Sequence, residues 1–295
     1  MKNLTIQQFF KRFPSDDACL DHLMEVRYGH KHECTNCERE DANHYRLKNR
    51  NAYSCEFCGN HVYPASGTLF EKSRTSLQLW FYAIYLFTTS RHGVSAKELQ
   101  RQLGVTYKCA WRMGHEIRKH MATVDGDDPL SGHIEVDEAY IGGKDKTIGR
   151  PTFKNGSKKT GVFGMVERNG DIITRVIPDS KTKTLMPHIV EHIEQGSTVS
   201  SDEFNVYKNL PKFGYEHGFV KHNIEQWKDG IHHTNTIEGF WSQLKKSIGG
   251  THIHVSRKHL QKYLEEFEYR YNSRKNPSSM FPELISTFPE KQKKE

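Results

Sequence analysis

The spacing of apolar residues changes once along the chain, near residues 125–130. Before this point, residues 1–30 and 74–122 carry apolar side chains at three- and four-residue steps, which is the period of helices packed on a core. Beyond it, apolar and polar positions alternate over much of residues 133–177, as they do in half-buried strands. The segment 124–129 between the two patterns is acidic and contains Gly and Pro, which indicates a domain boundary.

The alternating segment predicts a sheet with carboxylates at defined places. In the strand predicted for residues 133–141, Asp137 lies mid-strand on the more polar face. Two strands, an amphipathic helix and a short fourth strand are predicted next, at Gly161 to Val166, Asp171 to Ile177, Thr184 to Ile193 and Ser197 to Ser200. Asn169-Gly170 is a strong hairpin signal between the second and third strands, and Asp202 lies just past the fourth. This is the element order of an RNase H-like fold.

A helix with two chemically different faces is predicted for residues 234–246. Its apolar stripe consists of Ile237, Phe240, Trp241, Leu244 and Ile248. Glu238 and Lys245 are two turns apart and project the same way, about 10 Å apart along the axis, which suits a metal-binding carboxylate beside a phosphate-binding ammonium. Asn235 followed three residues later by Glu238 is also a helix-capping signature, and on this stretch alone capping is the favoured interpretation.

Four of the six cysteines form two pairs with metal-binding spacing. These are Cys34-x2-Cys37 and Cys55-x2-Cys58, separated by 17 residues. Because the sequence has no apolar secretion-signal region, we expect metal ligation rather than disulfides. Four thiolates close a tetrahedral shell around one Zn²⁺, so residues 31–73 are predicted to be a zinc ribbon whose metal is structural rather than catalytic.

Length and charge favour a multidomain protein that contacts nucleic acid. The chain has 295 residues with a net charge of +7, 35% hydrophobic and 27% charged residues. Two or three units are therefore expected, and the basic balance raises the odds of a nucleic-acid partner. The longest apolar run, Leu79 to Phe87, is far shorter than the roughly 20 residues of a membrane span, so we expect a cytoplasmic protein without membrane contact.

The helical segment 74–124 has the pattern of a helix-turn-helix DNA-binding region. Ser95 and Glu98 form a capping box, Gly104 ends that helix, and a second helix follows from residue 106 to 121. The basic and aromatic positions expected on its exposed side are Tyr107, Lys108, Trp111, Arg112, Arg118 and Lys119. They favour major-groove binding, although a plain helical packing unit has the same spacing.

Two further segments are basic. Residues 143–160 hold six Lys/Arg against one acid, and residues 242–275 hold eight against three. The first segment includes Lys154, Lys158 and Lys159 and directly follows the Asp137 strand, so it is predicted to contact phosphates, although such runs are usually solvated loops. In the second, basic residues are expected on the outer side of a long helix, and the aromatic residues in its core.

Three carboxylates come from separate elements of the predicted domain. Two-metal phosphodiester chemistry needs such convergence, because ions about 3.5–4 Å apart hold both the attacking and the leaving oxygen. Asp137, Asp202 and Glu238 supply the groups, and oxygen ligands select Mg²⁺ or Mn²⁺. Each also has an ordinary alternative, namely an ion pair for Asp137, a helix N-cap for Asp202 and a capping box for Glu238. If these residues formed no metal site, all three of these ordinary roles would have to be correct at the same time.

With these residues in view, the chain resembles the DDE-type transposases of bacterial insertion sequences that carry an N-terminal zinc ribbon. The likeness runs from the ribbon to about residue 275, and its matching segments are His133-Ile-Glu-Val-Asp137-Glu-Ala-Tyr-Ile-Gly-Gly-Lys144, Ser201-Asp202-Glu-Phe-Asn-Val-Tyr207 and His233-Thr-Asn-Thr-Ile-Glu238-Gly-Phe-Trp-Ser-Gln-Leu-Lys245. The resemblance implies an RNase H-like core, a catalytic triad of Asp137, Asp202 and Glu238 holding two ions, and DNA contact by Lys245.

The third ligand of that triad has an alternative in Asn235, because either Asn or Glu occurs at this position in related sequences. Glu238 is favoured, since only an ionised carboxylate adds charge to hold a divalent ion. The DNA-contacting residues expected across the chain are Lys108, Arg112, Lys154, Lys158, Lys159, Lys245 and Lys246.

The sequence therefore predicts a multidomain chain in five parts. These are a helical lead-in (1–30), a small zinc ribbon (31–73), an all-α helix-turn-helix region (74–124), an α/β RNase H-like catalytic domain with a mixed sheet (130–285) and a charged tail (286–295). The expected function is binding of terminal inverted repeats, metal-dependent DNA end cleavage and strand transfer by a homodimer or higher oligomer on double-stranded DNA. A non-enzymatic DNA-binding regulator and a nuclease that cuts without joining are the alternatives.

Overall fold

The computed structural model describes residues 4–142, 159–220 and 230–288 of the chain. Lys154 and Lys158 lie outside these residues. The chain forms two compact units, one made of residues 1–124 and 276–295 and the other of residues 125–275. No helix in the described ranges is both long and apolar enough to cross a membrane.

The first unit begins with two helices and a small four-stranded sheet, all before residue 63. The elements are α1 (Ile6–Arg12), α2 (Asp16–Arg27), β1 (Lys31–His32), β2 (Ala42–Arg46), β3 (Tyr53–Cys55) and β4 (His61–Val62). The strands follow one another in the order β1-β2-β3-β4, and every neighbouring pair is antiparallel. Ser15 caps α2, because its side chain accepts a hydrogen bond from the backbone N–H of Ala18.

Three more helices complete the N-terminal part of this unit. They are α3 (Leu77–Thr89), α4 (Ala96–Leu103) and α5 (Tyr107–Asp125). The predicted cap of α4 is present, since the Ser95 side chain accepts from the N–H of Glu98, and Gly104 ends the helix in the left-handed conformation at φ +65°. Two consecutive helices joined by a short turn are thus observed, which agrees with the predicted helical pattern of this region.

Arg118 on α5 is not at an exposed position, which corrects the sequence prediction. Its side chain is buried, one guanidinium nitrogen donates to the carbonyl oxygen of Val94, and the group lies over the Phe87 ring. Gly114, one turn earlier on α5, leaves the necessary room, because a Cβ there would lie 3.1 Å from the guanidinium. Arg118 therefore stabilises the packing of the helices rather than offering a free charge.

The last helix, α9 (Met280–Ser286), belongs to the first unit. The sequence prediction had extended the catalytic domain to residue 285. Instead, Phe281 of α9 packs edge-on against Phe9, Phe13 and Tyr85. The carbonyl oxygen of Leu284, also in α9, is hydrogen-bonded to the buried His120 side chain. The chain thus returns to the first unit after residue 275, a feature that local periodicity does not encode.

The second unit is built on a five-stranded mixed sheet. Its elements are β5 (His133–Ile141), β6 (Thr160–Glu167), β7 (Ile172–Ile177), α6 (Thr182–His192), β8 (Thr198–Ser201), a 3₁₀ helix (Asn205–Phe213), β9 (Glu216–Phe219), α7 (Asn235–Ser247), a short π-helix (Ile248–His252), α8 (Arg257–Asn272) and a 3₁₀ turn (Ser273–Lys275). The strand order is β7-β6-β5-β8-β9, and only β6 runs against the others. This is the RNase H-like arrangement, and the predicted mixed sheet is confirmed. Asn169 makes the predicted β6–β7 turn at φ +61°.

Hydrophobic side chains cover both faces of this sheet. On one face, Ile134 and Val136 of β5 lie in a core with residues of α6 and the 3₁₀ helix 205–213. On the other, Ala139 and Ile141 share a core with α7 and α8. The alternation of β5 thus separates two cores, and Asp137 is on the α7 side.

Candidate functional site

The strand register brings Asp137 and Asp202 to the same level of the sheet. β5 and β8 are parallel neighbours, with His133 opposite Thr198 and Glu135 opposite Ser200. Continued by two residues, this register sets Asp137 beside Asp202, which directly follows β8. Asp202 also accepts a hydrogen bond from the backbone N–H of Phe204 (3.0 Å), so its carboxylate is held at the start of the next segment.

The N-terminus of α7 is fixed to the sheet by Glu135, which is fully buried. One Glu135 oxygen accepts from the backbone N–H groups of Thr236 (2.8 Å) and Ile237 (3.2 Å), and the other accepts from the Thr236 hydroxyl (2.8 Å). The Arg168 guanidinium pairs with the same carboxylate at 2.8 Å. An anion at a helix N-terminus satisfies unpaired N–H groups and complements the helix dipole, so Glu135 fixes the position of α7, the helix that carries Glu238.

This contact replaces the helix cap suggested by the sequence. The N-cap residue is Thr234, whose side chain makes no capping bond to the backbone, and Asn235 is the exposed first residue of the helix. The Thr234 hydroxyl instead donates to the Glu238 carboxylate at 2.7 Å. The capping interpretation of Asn235 and Glu238 is therefore wrong, because the helix N–H groups are satisfied from β5.

Close packing of α7 on the sheet brings its side chains to Asp137. The indole N–H of Trp241 donates to an Asp137 carboxylate oxygen at 3.1 Å. Gly164 on β6 lies directly opposite Asp137 in the ladder. A Cβ at Gly164 would come within 2.6 Å of the Trp241 ring, so the absence of a side chain there allows the helix to approach.

Four acidic groups influence one another at this end of the sheet. Burial raises the pKa of Asp137 well above its usual value, and the neighbouring charges of Glu138, Asp202 and Glu238 raise it further. Burial also raises the pKa of Glu138, to about 7. Carboxylates that oppose each other's ionisation in this way are strongly stabilised by a nearby cation.

The spacing of the carboxylate oxygens of the three predicted ligands can be compared with the span of one bound ion. Within the described residues, oxygens of Asp137, Asp202 and Glu238 do not all lie within 4.8 Å of one another. One Mg²⁺ bound at about 2.0–2.1 Å spans at most roughly 4.2 Å between opposite ligands. As they stand, the three side chains are therefore spread more widely than the ligands of a single Mg²⁺.

Glu138 is a member of this acidic group that the sequence prediction did not include. It points to the opposite face from Asp137, where its carboxylate accepts a hydrogen bond from the buried Tyr207 hydroxyl at 2.7 Å. Tyr207 lies in the 3₁₀ helix that follows Asp202, so the bond ties this segment to β5. The sequence does place Glu138 directly after Asp137, which could have indicated its membership of the acidic group. It was not included because neighbouring residues of a strand point to opposite faces of the sheet.

The predicted DNA contacts are distributed over both units. Lys245 and Lys246 are exposed near the end of α7, in the second unit. In the first unit Lys108 is exposed, whereas Arg112 is exposed but lies over the Trp80 ring and donates to the Ser73 hydroxyl at 3.4 Å. Lys159 is half-buried just before β6.

The four paired cysteines come together at one point of the ribbon. Their sulfur atoms all lie within 4.8 Å of one another, with Cys34 and Cys58 3.6 Å apart and Cys37 and Cys55 4.0 Å apart. A tetrahedral Zn²⁺ with Zn–S bonds of about 2.3 Å requires sulfurs about 3.8 Å apart. The backbone N–H groups of Asn36 and Cys37 lower the pKa of Cys34 to about 6, which favours its thiolate, whereas burial raises the pKa of Cys37 to about 12. The residues fit a four-thiolate zinc site.

Removal of one ligand tests this zinc site. We expect the purified protein to contain about one zinc per chain, and Cys55→Ser to lose both the metal and the local ribbon fold, because so small a sheet folds only around its metal. Elemental analysis and amide exchange over residues 31–62 measure both effects. Cys109→Ser is the matched control, since this cysteine lies outside the cluster and should leave the zinc content unchanged.

Two family models match the chain. Residues 129–272 match the ISXO2-like transposase domain, and residues 14–61 match the transposase zinc-ribbon domain. The fold and the site thus define a zinc-ribbon protein with a transposase domain of the RNase H-like type. These are the two domains of insertion-sequence transposases that carry an N-terminal zinc ribbon, the proteins that the sequence had indicated as similar.

Individual proteins and solved structures are also similar to this chain. A protein in transposable element ISH50 of Halobacterium salinarum is 27% identical over 282 residues, covering 88% of this chain and 92% of that protein. A transposase-like protein of Haemophilus influenzae is 27% identical over 116 residues, which cover 39% of this chain and 93% of that protein. Among solved structures, the Mos1 transposase paired-end complex with left transposon end is similar at 13% identity and a TM-score of 0.28, over 70% of this chain and 78% of that one.

Proposed function

We propose that this protein is an active transposase that cuts DNA at the terminal inverted repeats of its element and joins the freed 3′ ends to target DNA. The observation that supports the proposal is that the charges of Asp202, just past the end of β8, and of Glu238 on α7 both act on Asp137 of β5. A domain that served only to bind DNA would have no need to hold these acids together against their repulsion.

The carboxylates of Asp137, Asp202 and Glu238 are the proposed ligands of two Mg²⁺ or Mn²⁺ ions. Such ions supply Lewis-acid stabilisation of the phosphate oxygens and activate the attacking oxygen. The protein orients the ligands, since Trp241 hydrogen-bonds Asp137 and Thr234 hydrogen-bonds Glu238. Water is the nucleophile in end cleavage, and the 3′-hydroxyl is the nucleophile in strand transfer.

DNA binding is proposed to involve both units. The zinc ribbon and the helices α4 and α5 would recognise the element ends, with Lys108 and Arg112 among the contacts. Lys245 and Lys246 would hold the phosphate backbone beside the acidic site, and Lys154, Lys158 and Lys159 would add sequence-independent contacts. Two protomers, or a larger oligomer, would pair the two ends.

A strand-transfer reaction tests this function directly. Purified protein is incubated with Mg²⁺, a labelled duplex carrying the element's own end and a target plasmid. We expect cleaved ends and, in addition, labelled DNA joined to the plasmid. Cleavage without joining would identify a nuclease instead, and binding without cleavage in either Mg²⁺ or Mn²⁺ would identify a DNA-binding regulator.

A further inference from the structure

We propose that α6 carries a second transition-metal site, formed by His188, Glu191 and His192, which binds Zn²⁺ or a similar divalent ion. One ligand atom from each of these side chains lies within 4.8 Å of the other two. The site is on the second unit and shares no residue with the acidic group or with the zinc ribbon. It is independent of the proposed transposase activity.

The helix geometry explains how three ligands converge. His188 and His192 are four residues apart, so their side chains lie one above the other on the same face of α6. Their rings are almost parallel, with an interplanar angle of 4° and centroids 6.4 Å apart. Glu191 immediately precedes His192, and its carboxylate lies 3.7 Å from a His192 ring nitrogen.

One of the imidazoles has an unused nitrogen. The Nδ1 atom of His188 is buried and has no hydrogen-bond partner within the part of the chain that the structure describes. A buried polar atom without a partner is unfavourable, and coordination of an ion at this nitrogen would compensate for that.

The nearby charges do not exclude a cation. Arg175 is the positive group that acts on both histidines, but it pairs with Asp127 and lies 3.8 Å from the Glu268 carboxylate. Asp127 and Glu191 both act on His192 with negative charge. Two acids therefore balance the guanidinium, and Glu191 contributes the charge that holds the ion.

The ligand types indicate which ion fits. Imidazole nitrogens favour Zn²⁺, Ni²⁺ and Cu²⁺ over Mg²⁺ or Ca²⁺, and two histidines with one carboxylate leave a position on Zn²⁺ for water. Glu191 is exposed and His188 half-buried, so an ion can reach the site from solvent. Because all three ligands lie on the last two turns of α6, the bound ion would stabilise this end of the helix.

Metal titration of the zinc-loaded protein tests the site. In excess Mg²⁺, which would occupy the acidic site, we expect the parent protein with its ribbon zinc in place to bind one additional equivalent of Co²⁺, with the weak visible bands of nitrogen and oxygen ligands rather than the intense bands of thiolates. His188→Ala and His192→Ala should lose this equivalent. His254→Ala removes an exposed histidine outside the cluster and should retain it.

Glu191→Gln keeps the test independent of folding, because this side chain is exposed. It should bind the additional ion more weakly than the parent and show a smaller rise in melting temperature when Zn²⁺ is added. If the parent binds no additional Co²⁺, or if all three cluster variants bind it as the parent does, the proposal is wrong. Neither result would bear on DNA cleavage.

Discussion

Asp137→Asn and Asp202→Asn should each abolish end cleavage and strand transfer, with a loss of at least about 10³-fold, while leaving binding to the element ends intact. The amide lacks the charge that holds a divalent ion, and metal ions contribute several kcal/mol of stabilisation to phosphoryl transition states. End binding should persist because it is assigned to the first unit, which contains neither residue. Cleavage of a labelled duplex and a gel-shift titration measure the two activities on the same preparation.

Lys245→Ala is the matched control for this loss. Lys245 is exposed on the same helix as Glu238, and its proposed role is one phosphate contact rather than metal binding. Its substitution should therefore reduce activity mildly and lower the salt dependence of DNA binding by roughly one unit of slope. If both aspartate variants cleave like the parent, the proposed enzyme function is wrong and the regulator takes its place.

The same assay decides the third ligand. Glu238→Gln should be inactive with Mg²⁺, whereas Asn235→Ala should retain cleavage. Asn235 is exposed and does not cap α7, whereas the charge of Glu238 acts on Asp137. Normal cleavage by Glu238→Gln together with an inactive Asn235→Ala variant would assign the ligand to Asn235 instead.

Local patterns predicted most strands and helices of the second unit, but not β9 or the 3₁₀ helix 205–213. The alternation in β5 predicted both its bounds, His133–Ile141, and the face that carries Asp137, because strand geometry fixes the direction of every second side chain. The apolar stripe of α7 likewise predicted which of its residues are buried. The cysteine spacing predicted the zinc ribbon, since metal ligation depends on a few residues at short range.

Features that depend on distant contacts were not predictable from these patterns. The residue that satisfies the α7 N-terminus is Glu135, about 100 residues earlier in the chain, so a local capping signature was a misleading guide. The return of α9 to the first unit depends on aromatic contacts with Phe9 and Phe13. Burial of Arg118 depends on space left by Gly114. Helical period alone contains none of this information.

Glu135→Ala should strongly destabilise the second unit, by about 3–5 kcal/mol, because it leaves the Arg168 charge and the α7 N–H groups without their buried partner. For a unit of about 150 residues this corresponds to a decrease in melting temperature of roughly 6–20 °C. Amide exchange of Thr236 and Ile237 should accelerate before global unfolding, since their N–H groups lose the acceptor. Calorimetry and hydrogen-exchange mass spectrometry measure the two effects.

Two further variants separate the charge of Glu135 from the general effect of removing a glutamate. Glu194→Ala, at an exposed position of the same unit, should change the stability by no more than about 0.5 kcal/mol. Glu135→Gln retains one acceptor oxygen for the helix but not the ion pair with Arg168, so it should lie between the parent and Glu135→Ala. Because Glu135 positions the helix that carries Glu238, cleavage at a temperature where Glu135→Gln remains folded should also be slower. Full cleavage with unchanged exchange at Thr236 would show that α7 is held by its apolar stripe alone.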